Sequence, residues 1–97
     1  MVSGIYDLIG DYYKRRGLAW PTGSQAAMWV LTELAEAVEL DLERQADWVR
    51  NHPEDKARFS KARLAEELGD TVMMVLVWGM VEGVDPLAAL TSKLRRS

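Results

Sequence analysis

Four acids at matching helical intervals are the residues of this chain best equipped for chemistry. They are Glu33 and Glu36, within Thr32-Glu33-Leu34-Ala35-Glu36, and Glu67 and Asp70, within Glu66-Glu67-Leu68-Gly69-Asp70. Residues three apart on a helix lie about 60° apart around its axis, so each pair shares one face. Two helices that turn these faces together enclose four carboxylates. Such a cluster repels itself unless cations fill it, and an all-oxygen donor set suits Mg²⁺, with Mn²⁺ as a substitute. A cation held there can neutralise an anionic ligand and polarise a bound water. One acid is then free to act as general base on that water. Glu36 is the choice for the base, although nothing in the sequence separates it from Glu33.

One ExxE on its own is an ordinary solvated helix face; two pairs on separate helices are more specific. Asp70 also opens the apolar run Thr71-Val72-Met73-Met74-Val75-Leu76-Val77-Trp78-Gly79-Met80-Val81. Met74, Val77 and Val81 continue its line along the helix, so Asp70 is expected to be at least partly buried. Burying an unpaired carboxylate is costly unless a cation or hydrogen bonds compensate.

Hydrophobic spacing gives the elements that must carry these acids. Ile5, Leu8, Ile9 and Tyr12 keep the interval of an amphipathic helix, with Lys14-Arg15-Arg16 in its last turn and Gly17 ending it. Residues 17–23 read as a loop, and either Thr22 or Ser24 can cap the second helix. That helix is expected from Ser24 to Arg50, with an apolar stripe of Ala27, Val30, Leu31, Leu34, Val38, Leu42 and Val49 and with Glu33, Glu36, Glu43 and Asp47 opposite. Asn51-His52-Pro53-Glu54-Asp55 breaks the pattern. A third helix is expected from about Pro53–Asp55 to Glu82. Its second half is apolar all round and must be covered on every side, which points to a subunit interface. Gly83 stops it, and Asp85-Pro86 starts a short closing helix through Leu87, Leu90 and Leu94. No strand signal or repeat is seen, so the expected fold is all-α, one domain spanning residues 1–97.

These residues resemble the MazG-like nucleoside triphosphate pyrophosphohydrolases. The resemblance rests on Trp20 to Glu39, on Leu64-Ala65-Glu66-Glu67-Leu68-Gly69-Asp70, and on Gly83-Val84-Asp85-Pro86-Leu87-Ala88-Ala89-Leu90 with Lys93 after it. It implies a four-helix-bundle-like all-α homo-oligomer that hydrolyses nucleoside triphosphates to monophosphates and pyrophosphate with Mg²⁺. It further implies that Glu33 and Glu36, with Glu67 and Asp70, are the metal ligands and catalytic acids. Thr32 stands where family members usually carry another acid, and the stretch between the two pairs is longer than usual. Phosphoribosyl-ATP pyrophosphatase, of the same superfamily, is the nearest alternative. A non-catalytic helical interaction module is the alternative of a different class.

Around the acids, Trp29 sits one turn before Glu33, and it and Trp20 are candidates to stack on a base. Arg63 lies one turn before Glu67 and can reach a phosphate or pair with Glu67. Lys93 and Arg95 can contact phosphates from a neighbouring subunit or simply complement a helix end. Glu66 and Glu39 flank the ligand faces as supporting or solvated acids. His52 is alone of its kind and reads as a turn residue, which argues against a histidine-containing zinc or di-iron site.

Composition sets the outer limits. A chain of 97 residues with 48% hydrophobic content has more apolar side chain than a small monomer easily hides, which leans towards a dimer or tetramer. A net charge of −3 gives no footprint for nucleic acid or an anionic membrane. There is no cysteine, hence no disulfide framework or thiolate site. The N-terminus lacks a signal-peptide pattern, and the apolar run from Thr71 to Val81 is well short of the ~20 residues that span a bilayer. A soluble, cytoplasmic protein is expected.

Overall fold

In a computed structural model, which describes residues 2–45 and 59–96, the chain is all-helical. These residues form α1 (Val2–Arg15), α2 (Gly23–Leu42), α3 (Lys61–Glu82) and α4 (Pro86–Arg95), with no strand among them. The expected break at 51–55, with His52, and Val49 of the predicted stripe lie outside the described residues.

Local chemistry explains each boundary. Lys14 and Arg15 occupy the last turn of α1, and Gly17 reverses the chain at a φ of 63° that side chains with a Cβ rarely adopt. Trp20 then stacks on Tyr13, with ring centroids 4.3 Å apart and planes 7° from parallel, tying the loop to α1. Thr22 is the cap of α2. Its hydroxyl accepts from the Gln25 N–H at 3.1 Å, while the Gln25 side chain accepts from the Thr22 N–H at 3.0 Å.

Both long helices are shorter than the spacing predicts. α2 ends at Leu42 and passes into a turn at 43–45. α3 starts at Lys61, because Ser60 is extended and its hydroxyl caps the Arg63 N–H at 3.1 Å. An uninterrupted helix from Pro53 is therefore excluded. The Arg44 guanidinium lies 4.8 Å from the centre of the Phe59 ring and closes this end of the hairpin.

α2 and α3 run antiparallel as the main packed pair. The core is small: Ile9 and Tyr13 of α1, Ala26 of α2, and Met74, Leu76 and Val77 of α3, with Val30, Met73, Met80 and Leu87 around them. α4 leaves α3 at a bend of 104° and buries no residue of its own. Its root is nonetheless fixed. Asp85 accepts from the Ala88 N–H as N-cap and from the Tyr6 hydroxyl of α1, and Pro86 packs where Gly79 has no Cβ.

The orientation of α2 differs from that of an ordinary surface helix. Its α3-facing side is made of Ala26, Ala37 and Leu40 together with half-buried Glu33. Leu31, Leu34, Val38 and Leu42 of the predicted stripe point to solvent instead. In α3, Met74, Leu76, Val77 and Gly79 are buried within one chain, while Val72 and Trp78 stay exposed. No single helix is long and apolar enough to cross a membrane among the described residues.

Candidate metal centre

The antiparallel register of α2 and α3 sets Glu33 opposite Asp70 and Glu36 opposite Glu67. Carboxylate oxygens of Glu33, Glu67 and Asp70 all lie within 4.8 Å of one another. Glu36 is outside that tight group but close enough for its charge to act on both Glu33 and Glu67. A cavity of about 240 Å³ adjoins the cluster, lined by Glu36, Glu39, Leu40, Arg63 and Glu67. The two acid pairs thus face each other across one helix–helix interface.

Burial falls on different residues than the sequence suggests. Asp70 is exposed, and the half-buried acids are Glu33 and Glu67. Met74 and Val77 are buried in the core with residues of α1 and α2, but Asp70, one turn earlier on α3, is exposed. The desolvation argument passes instead to Glu67, whose Oε2 is buried and has no hydrogen-bond partner among the described residues. Burial first, then the charges of Glu36, Asp70 and Glu67, pushes the Glu33 carboxyl above its ordinary value. Burial first, then Glu36 and Asp70, raises Glu67 likewise, with the Arg63 guanidinium pulling the other way.

This donor set fits a hard divalent cation. It offers oxygen only, it is crowded with like charge, and it contains a buried acceptor with no donor. Glu33, Glu67 and Asp70 are the groups placed to hold such an ion, with Glu36 beside them.

Of the other expected site residues, Arg63 is in the cavity wall. Glu39, read from sequence as a flanking acid, lines the same wall, and Glu66 is exposed. Trp29 is half exposed and does not line the cavity. Trp20 has one ring face against Tyr13. Lys93 lies in the last turn of α4, outside the cavity. Leu40 is the lining residue with no chemical signature in the sequence; only its register opposite Arg63 brings it there. Glu43, predicted on the charged side of α2, is fully buried.

The chain matches no protein-family model, no curated protein and no solved structure.

Proposed function

We propose that this chain is a Mg²⁺-dependent nucleotide pyrophosphohydrolase, working as a homo-oligomer and releasing pyrophosphate and a nucleoside monophosphate. One observation carries the reading: carboxylate oxygens of Glu33 on α2 and of Glu67 and Asp70 on α3 lie within 4.8 Å of one another, and Oε2 of Glu67 is buried with no hydrogen-bond partner among the described residues. Carboxylates brought so close raise the free energy of the metal-free fold near neutral pH, and a bound cation relieves that repulsion.

When bound, Mg²⁺ supplies charge neutralisation for phosphate oxygens and a polarised water. The chain's own residues divide the remaining work. Glu33, Glu67 and Asp70 hold the cation. Glu36, close to the cluster but outside its tightest group, is placed to accept a proton from the attacking water. Arg63, in the wall beside Glu67, is a cation within reach of the cavity for a phosphate oxygen. The Mg²⁺-dependent chemistry and the substrate class also draw on the resemblance carried by Glu66-Glu67-Leu68-Gly69-Asp70.

The test is a product assay with Mg²⁺ and a panel of nucleoside and deoxynucleoside triphosphates. Monophosphate and pyrophosphate in equal amounts are expected. Orthophosphate with a diphosphate would refute the reaction class, and no product with any triphosphate would favour a helical interaction module.

A further inference from the structure

The reversal after α1 gathers cations and aromatic rings on one exposed surface that the metal centre does not use. Between Asp11 and Glu33 the chain carries Lys14, Arg15 and Arg16 and no acid. All three cations are exposed, and none pairs with a carboxylate among the described residues. Instead the Arg15 guanidinium donates to the Asp11 backbone carbonyl at 3.4 Å. That of Arg16 lies 4.6 Å from the centre of the Tyr12 ring. Gly17 turns the chain back, and the Leu18 N–H donates to the Tyr13 carbonyl at 2.9 Å. Trp20 is thereby laid flat against Tyr13. Tyr13 is buried and Trp20 is 45% exposed, so one indole face is covered and the other is open.

We propose that this surface binds single-stranded nucleic acid, with a base stacked on the open face of Trp20 and neighbouring phosphates neutralised by Lys14, Arg15 and Arg16. A string of phosphates is attracted to clustered cations, and every unpaired base has a π-face that stacks on an aromatic ring whatever its sequence. A ring already held parallel to Tyr13 has little freedom left to lose when a base arrives. The net charge of −3 argues against nucleic acid only as an average over the chain, and these three cations form a basic surface of their own. A duplex suits the surface less, because its bases are already stacked on one another. An anionic membrane also suits it less, since it rewards an aromatic ring that inserts, and the Trp20 ring is committed to Tyr13. Lys93, Arg95 and Arg96 supply an internal contrast: they form an equally basic end on α4, a helix with no aromatic residue.

Fluorescence anisotropy of dye-labelled uridine and thymidine octanucleotides tests this on the full chain, in low salt with a chelator so that no metal ion contributes. Both strands are expected to bind alike, because stacking and phosphate neutralisation do not read the sugar. With three cations engaged, affinity is expected to fall roughly a hundredfold for each tenfold rise in salt. Trp20→Ala is expected to weaken binding about tenfold to a hundredfold. That variant also uncovers Tyr13, so a second one leaves the packing alone. Lys14→Gln/Arg15→Gln is expected to cut the salt dependence to about a third while keeping its helical circular dichroism. Arg95→Gln/Arg96→Gln, an equal change of charge, is expected to leave affinity and salt dependence as they were. No binding at low salt overturns the proposal, as does an equal loss through Arg95→Gln/Arg96→Gln or equal affinity for a duplex of the same length. Sedimentation with phosphatidylserine vesicles in place of oligonucleotide binding overturns it too and assigns the surface to a membrane.

Discussion

At Glu67 the chain buries a carboxylate oxygen and gives it no donor, while Glu36 and Asp70 press like charge against it. The consequences at residue scale are thermodynamic. The Glu33 and Glu67 carboxyls sit above the ordinary 4.5. A group whose folded value is raised binds its proton more tightly in the fold, so its stabilising effect is present at low pH and lost as pH rises through the folded value. Metal-free protein is therefore expected to melt at a higher temperature near pH 5 than near pH 7. Thermal melts in a chelating buffer check this. Asp85 has the opposite sign, held low by the Tyr6 hydroxyl and then the Ala88 N–H. Its contribution is complete above about 3.8 and does not enter that window. Adding Mg²⁺ at pH 7 is expected to raise the melting temperature, since it binds only the folded cluster. The Glu67→Gln variant is expected to lose that rise; a fully retained shift would count against Glu67 as a ligand.

At the scale of elements, two glycines of α3 predict opposite outcomes. A Cβ on Gly79 would fall 2.5 Å from Pro86 Cδ and 3.0 Å from the Val84 carbonyl oxygen. Gly79→Ala is expected to cost about 1–3 kcal/mol by forcing α4 off α3. Gly69 meets nothing within 4 Å, so Gly69→Ala is expected to gain about 0.5–1 kcal/mol through helix propensity alone. Urea titration of both variants measures the difference. The same scale explains which boundaries could be read in advance. Gly17, Gly83, Asp85 and Pro86 act through their own backbone and capping chemistry, and the helices end or begin at them as the sequence predicts. Ser60 lies in a stretch that the spacing reads as helix, yet it is extended and caps the Arg63 N–H, while Phe59 beside it meets Arg44 from the turn after α2. That contact joins segments far apart in sequence, so no local pattern announces it.

For the whole molecule, the described chain is flat, extending 45 × 43 × 24 Å, with a radius of gyration of 16.3 Å against the ~12.5 Å of a compact domain this size. The core formed by the described residues is small, which gives a single chain modest stability. On the proposed homo-oligomeric reading, folding is expected to be coupled to association and the melting temperature to rise with protein concentration. Calorimetry over a hundredfold dilution series checks this, and an unchanged value would point to a monomer stable by itself.

Sequence alone is enough to establish that the chain is helical, where most helices stop, and that Glu33 and Glu36, like Glu67 and Asp70, share a face, because spacing and caps act within a few residues. The packing of α2 on α3 chose which side of α2 faces inward. An apolar stripe and an acidic face look alike in sequence whether the leucines seek the core or a partner, and only that pairing settles it. The pairing also moved the buried charge from Asp70 to Glu67, because burial depends on which side chains of α3 meet α2 and leaves no trace in the spacing of the acids.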